Sequence, residues 1–146
     1  MKRLVYLFLA LAMTSSLLLA CNNGDNGGPG NDVEVGQKVE VEGGAYWEAS
    51  PSEIYSILDD NIFVFQYDIM NLGNIPNTDE FIQYRTLEEN MDKLPADKNT
   101  TIVIFCGVGE KSAEAAEFLV KEGYTRVHNL DGGSIAWRDE GYPVIS

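Results

Sequence analysis

The chain has 146 residues, and its 23 acidic against 10 basic side chains give a formal charge of −13. That balance argues against nucleic acid or an anionic lipid surface as a partner. With 2 cysteines and 1 histidine, no ligand set for a zinc or iron site is available and no cofactor is implied.

Lys2 and Arg3 precede an apolar run from Leu4 to Ala12, and Leu18-Leu19-Ala20-Cys21 closes the segment with small residues. Residues 1–20 read as a secretory signal rather than a membrane span. The cysteine directly after Leu-Leu-Ala resembles a bacterial lipobox. That resemblance implies cleavage before Cys21, lipidation of its thiol, attachment to a membrane through the lipid and an extracytoplasmic location. The alternative is an ordinary signal peptide with an incidental cysteine. Asn22 to Asp32 is rich in glycine and asparagine and has no large apolar side chain to bury. A stretch of that length and composition spans roughly 18 Å as a flexible coil. Residues 21–45 are expected to form the tether. Val33, Val35, Val39 and Val41 alternate with polar or small residues, which fits either an extra strand or a longer tether. Cleavage would leave 8 basic against 23 acidic residues, a charge of −15. With Cys21 lipidated, Cys106 would be the one thiol left, and no internal disulfide could form.

Residues 46–146 should make one domain. Tyr46-Trp47-Glu48-Ala49 fits a short first strand. Ser50-Pro51-Ser52-Glu53 combines an N-cap serine, proline at the first helical position and a glutamate three residues after the cap, so a helix should run through Ile57. Ile62 to Tyr67 reads as a buried strand, Asn71 to Thr78 as a loop, and Phe81-Ile82 as a short strand. Thr86-Leu87-Glu88-Glu89 has the pattern of a second capping box, opening a helix through Met91 and Leu94. A strand over Thr101–Phe105 follows, then a helix from Ser112 closed by Gly123. Val127–Leu130 is a strand, Asp131-Gly132-Gly133 a turn, and Ser134–Glu140 a last helix. Strands alternating with helices give an α/β fold, with a mainly parallel sheet covered on both faces.

Cys106 ends the apolar run Ile102-Val103-Ile104-Phe105 and is followed by Gly107-Val108-Gly109-Glu110-Lys111-Ser112. Strand, glycine-bearing loop and helix start place the sulfur at the carboxyl end of a strand, where loop amides and the positive end of the next helix favour negative charge. Gly107 and Gly109 allow backbone amides to face inward. Lys111 could steer an anionic substrate or simply balance Glu110 and Glu114. His128, Trp137 and Phe118 read as structural, and the helix-face acids Glu88, Glu89, Asp92, Glu114 and Glu117 as solubilising.

Three stretches resemble the rhodanese superfamily: Ile104 to Ser112, Glu117 to Tyr124, and Val127 to Trp137. Gly73-Asn74-Ile75-Pro76 looks like that family's glycine-x-isoleucine-proline loop. The resemblance implies a rhodanese-like three-layer domain and a sulfurtransferase. Its loop cysteine, here Cys106, takes sulfane sulfur from a donor as a persulfide and passes it to a thiol or cyanide acceptor. The loop Gly107, Val108, Gly109, Glu110, Lys111 and Ser112 would bind the substrate, and a monomer is expected. The chain departs from the family pattern in three places. Gly107 stands where the family carries an arginine after the cysteine. Lys111 holds the later basic position without arginine's bidentate fork. The aspartate-x-arginine signature after the second strand is not evident around Gln66-Tyr67-Asp68, and Asp68 fits either a substitute carboxylate or a solvated turn residue. Two other readings compete. A cysteine phosphatase or arsenate reductase would need arginine where Ser112 stands. A rhodanese-like binding module would use the same fold without turnover.

Overall fold

The computed structural model describes residues 34–71 and 73–145. The signal segment 1–20, Cys21 and the tether as far as residue 33 lie outside the described residues. The described chain runs β1 (Gln37–Val41), β2 (Gly44–Ala49), α1 (Pro51–Ile57), β3 (Phe63–Asp68), β4 (Thr78–Gln83), a 3₁₀ helix (Glu88–Lys93), β5 (Ile102–Phe105), α2 (Glu110–Lys121), β6 (Val127–Leu130) and α3 (Gly133–Asp139). The strands form one sheet in the order β1-β2-β6-β5-β3-β4. Only β1 is antiparallel to its neighbour.

The domain therefore begins before Tyr46. Val39 and Val41 pack against the core, and Gln37 to Val41 pair in register with Glu48 to Gly44. The valine alternation belongs to an edge strand, so residues 37–45, expected as tether, are part of the sheet.

β5 is central and buried along its whole length, which is why its sequence is a continuous apolar run and does not alternate. The period of two still sorts its side chains. Ile102 and Ile104 enter a cluster with Phe65, Tyr67, Leu119 and Val127 beneath α2. Val103 and Phe105 enter another with Ile54, Ile75, Leu130 and Trp137 beneath α1 and α3. Both faces of the sheet are thus covered, as the alternation of elements required.

The capping box at Ser50 forms as expected. Glu53 Oε2 accepts from the Ser50 amide at 2.8 Å, and Ser50 Oγ accepts from the Glu53 amide at 3.4 Å. The second box does not form. The Thr86 hydroxyl turns back to donate to the Gln83 carbonyl at 2.9 Å, and Asn90 Nδ2 donates to the Thr86 carbonyl at 2.7 Å. Asn90 itself leaves helical geometry (φ −117°, ψ 20°), so the segment settles as a kinked 3₁₀ turn in place of the expected helix. Local side-chain bonds here outcompete the cap. Ser50→Ala should lower stability by about 1 kcal/mol, read as a shift of the urea midpoint at unchanged slope.

Candidate functional site

The parallel register brings three strand ends together. Gln66 lies opposite Phe105, and Ile104 opposite Asn129. Asp68, Cys106 and Leu130 therefore leave the sheet at the same edge. Cys106 has no solvent exposure. Its Sγ accepts a hydrogen bond from the Gly109 amide at 3.0 Å, and the buried Ser112 hydroxyl donates to it at 3.4 Å. Gly109 is the N-cap of α2 and has φ 95°, in the left-handed region that glycine tolerates. That conformation turns its amide back onto the sulfur. The helix starts at Glu110, two residues earlier than the sequence reading, so Ser112 lies within its first turn.

The loop is fixed from beneath. The Ser134 amide donates to the Cys106 carbonyl at 2.8 Å, and the Ile135 amide to the Gly107 carbonyl at 3.1 Å. Gly133 permits this approach: its φ is 60°, and a Cβ there would stand 2.3 Å from the Cys106 oxygen. The Gly132-Gly133 pair is more than a turn; it is the surface on which the cysteine loop rests.

Asp68 is neither solvated nor incidental. It is 5% exposed. Its Oδ2 accepts from the Gly107 amide at 2.8 Å, and its Oδ1 accepts from the Ile69 amide at 2.7 Å and lies 3.1 Å from Lys111 Nζ. Burial pushes the Asp68 carboxyl up, but the Ile69 amide, the Lys111 ammonium and the Gly107 amide outweigh it and hold it below the usual aspartate range. The Asp68 carboxylate in turn raises Lys111, against a smaller opposing effect of burial. Of the two alternatives left open for Asp68, the structure gives the substitute carboxylate: it stands at the end of β3 in Asp68-Ile69-Met70, with Met70 where the resemblance implies arginine.

The loop residues divide by role. Gly109 and Ser112 face the sulfur. The Gly107 amide is committed to Asp68. Lys111 is paired, Glu110 is exposed, and Val108 is half exposed at the crest. Ile69, Met70 and Ile135 are also exposed large apolar residues. Ile69 and Met70 follow Asp68, which accepts from the Gly107 amide, and the Ile135 amide donates to the Gly107 carbonyl, so with Val108 these residues supply an exposed apolar rim next to the loop's anchor points. Cys21 is outside the described residues. Among the described residues, no group of three or more His, Cys, Asp or Glu is placed to hold a metal.

Three contributors escaped the sequence reading. Asn129 Nδ2 donates to the Gly109 carbonyl at 3.1 Å and to Glu48 Oε2 at 2.9 Å. Burial pushes Glu48 up against the lowering effect of hydrogen bonds from Asn129 and Tyr46, and Asp131 adds to the rise. Burial and then the Glu48 charge push the Tyr46 hydroxyl up to about 12. His128, beside Asn129, is buried and stacked on Trp47 with ring centroids 5.4 Å apart. The third is Gly133. The double glycine was its visible signal, while Asn129 and Glu48 had none apart from register.

Residues 65–140, more than half of the chain, match the rhodanese-like domain family. The chain belongs to that family. A sulfurtransferase of Allochromatium vinosum is 41% identical over 56 residues, which cover 38% of this chain and 50% of the relative. A thiosulfate sulfurtransferase of Pseudomonas fluorescens is 42% identical over 49 residues, covering 34% of this chain and 44% of the relative. The chain thus spans half or less of the length of these curated relatives. The crystal structure of a rhodanese-related protein from Thermoplasma volcanium superposes with a TM-score of 0.56 at 28% identity, covering 67% of this chain and 96% of that one. The rhodanese-like fold agrees with the resemblance read from the sequence.

Two outcomes follow for this rhodanese-like site. Gly133→Ala should destabilise the domain by well over about 1 kcal/mol, because the positive φ and the Cys106 carbonyl both reject a Cβ, and calorimetry would show the fall in Tm. Asp68→Asn should cost about 1–3 kcal/mol at neutral pH, for a charged group with three buried bonds. A depressed carboxyl stabilises the fold above its unfolded value of about 3.9 and loses that contribution as pH falls through its lower folded value. The gap between wild type and Asp68→Asn should therefore be full at pH 7 and close below about pH 4, as followed by urea unfolding across pH.

Proposed function

We propose that this protein is a sulfurtransferase that moves sulfane sulfur through a persulfide on Cys106. The observation that carries the reading is the one thiol among the described residues, at the carboxyl end of β5, with the Gly109 amide and the Ser112 hydroxyl aimed at its sulfur. The names of the relatives point the same way. In the first half-reaction the Cys106 thiolate attacks the outer sulfur of the donor. A Cys106 S–S bond forms, the donor's S–S bond breaks, and its electron pair leaves on the departing sulfite or thiolate. In the second, an acceptor thiolate or cyanide takes the outer sulfur, and the electron pair returns to Cys106. No external oxidant enters. The amide and hydroxyl stabilise charge on sulfur in both steps, and the covalent intermediate should give ping-pong kinetics.

The donor this site suits is neutral or protein-borne. Lys111, the one cation of the loop, is held by Asp68, Gly107 and Met70 bring no charge, and the rim of Ile69, Met70, Val108 and Ile135 is apolar. A sulfur with no solvent exposure is reached only when its surroundings open, which a docked partner surface can favour. The sequence further supports a lipid anchor on Cys21 and an extracytoplasmic site of action.

Incubation with thiosulfate or with a small-molecule persulfide, followed by intact mass, should show one added sulfur in wild type and none in Cys106→Ser. Wild type that takes up no sulfur from either donor would return the chain to the binding-module reading. Lys111→Ala should slow use of thiosulfate several-fold more than use of the persulfide, whereas Asp68→Asn, by releasing the ammonium, should raise the thiosulfate-to-persulfide rate ratio. Thiocyanate release measures both. Cys21→Ala should move the protein from the membrane to the soluble fraction; unchanged detergent partitioning would exclude the anchor.

A further inference from the structure

We infer that Asn129 and Glu48 are a positioning pair that sets the Gly109 amide on the reacting sulfur, an inference that rests on the sulfur-transfer reading above. Neither residue touches the sulfur. Glu48 on β2 lies directly opposite Asn129 on β6, and Asn129 Nδ2 divides its two protons between Glu48 Oε2 and the Gly109 carbonyl. The amide at the other side of the same residue, Gly109 N–H, is the one that meets Cys106 Sγ at 3.0 Å. Rotation of either peptide flanking Gly109 would lift that proton off the sulfur, and φ 95° offers such rotation little local resistance. The Asn129 bond fixes the carbonyl side, with the Ala113 amide at 3.0 Å as a second donor and the Ser112 hydroxyl, whose one proton is shared with Cys106 Sγ, at 3.1 Å.

Glu48 decides which way the Asn129 amide points. The groups facing Asn129 from both sides, the Glu48 carboxylate and the Gly109 backbone carbonyl, are acceptors. The NH₂ must therefore meet them, and Oδ1 is left buried without a hydrogen-bond partner. An unpaired buried oxygen costs stability. A leucine of the same shape would avoid that cost, so the asparagine is better explained by what its donors hold in place than by packing.

The test uses the full chain with Asn129→Leu, Glu48→Leu and Glu48→Gln. It follows uptake of sulfur on Cys106 by intact mass, kcat and KM with thiosulfate and with a small-molecule persulfide, and Tm. Asn129→Leu should lower kcat about tenfold to a hundredfold, the scale of a disturbed charge-stabilising donor. KM should hold, while Tm should fall modestly because Glu48 loses its donor. Glu48→Leu should be slow in the same way, and Glu48→Gln, whose amide oxygen still accepts from Asn129, should recover most of the rate. A merely structural role predicts the lower Tm with kcat of the folded protein unchanged, and no rate difference between the two Glu48 variants. Wild-type kcat in Asn129→Leu, or Glu48→Gln as slow as Glu48→Leu, overturns the positioning role while leaving sulfur transfer intact. A wild type that loads no sulfur overturns both. If Asn129→Leu fails to fold, the two Glu48 variants, which leave β6 untouched, carry the test alone.

Discussion

Two backbone carbonyls, those of Cys106 and Gly107, govern the reactive end of the sheet. A tight loop whose carbonyls point inward must find donors for them, and the first turn of a helix has amides with no partner of its own. Here each need meets the other: the Ser134 and Ile135 amides at the start of α3 take the two oxygens at 2.8 and 3.1 Å. With the carbonyls drawn down, the loop's amides are left to turn outward and upward, and the Gly109 amide reaches the sulfur. The arrangement tolerates no side chain at Gly133, whose Cβ would sit on the Cys106 oxygen. The shape of the thiol's surroundings is therefore set by main chain, and side chains refine it.

Asp68 does a second kind of work. By holding the Gly107 amide and the Lys111 ammonium together, it braces the loop from the β3 side and at the same time consumes the loop's cation. Bracing and anion capture are in competition for one lysine. A chain with arginine at Gly107 or Met70 would have charge to spare for a dianion, whereas this one does not. The apolar rim and the paired lysine thus describe one and the same preference, for a sulfur delivered without a large negative charge.

Much of this was visible in the residues. The β5–loop–α2 passage announced itself because Ile102 to Phe105 is uninterruptedly apolar and two glycines follow the cysteine, and Ser50-Pro51-Ser52-Glu53 specified its helix through a local cap. What depended on distant partners was hidden. Thr86 has the same cap pattern as Ser50, but Asn90 captures its backbone. Asp68 reads as a loop carboxylate until β3 and β5 are placed side by side. Asn129 and Glu48 are 81 residues apart, and nothing in either neighbourhood signals the register that makes them neighbours. The valines before Tyr46 were ambiguous for the same reason, since a strand at the edge of a sheet is defined by the partner it finds.

That edge strand has a geometric consequence. Because β1 runs antiparallel to β2 and begins at Gln37 opposite Glu48, the chain enters the domain at the end of the sheet where Cys106 leaves it. The entry is three strand spacings, about 14 Å, to the side. Gly36 lies flat on the Glu48–Ala49 backbone, where a Cβ would come within 2.3 Å of the Glu48 oxygen, so the point of entry is packed closely onto β2. The described chain thus approaches β1 from the end of the sheet at which Cys106 leaves β5. A folded group joined just ahead of Glu34 would therefore sit nearer the thiol end of the sheet than one inserted in the β1–β2 turn, at the opposite end of the same strand.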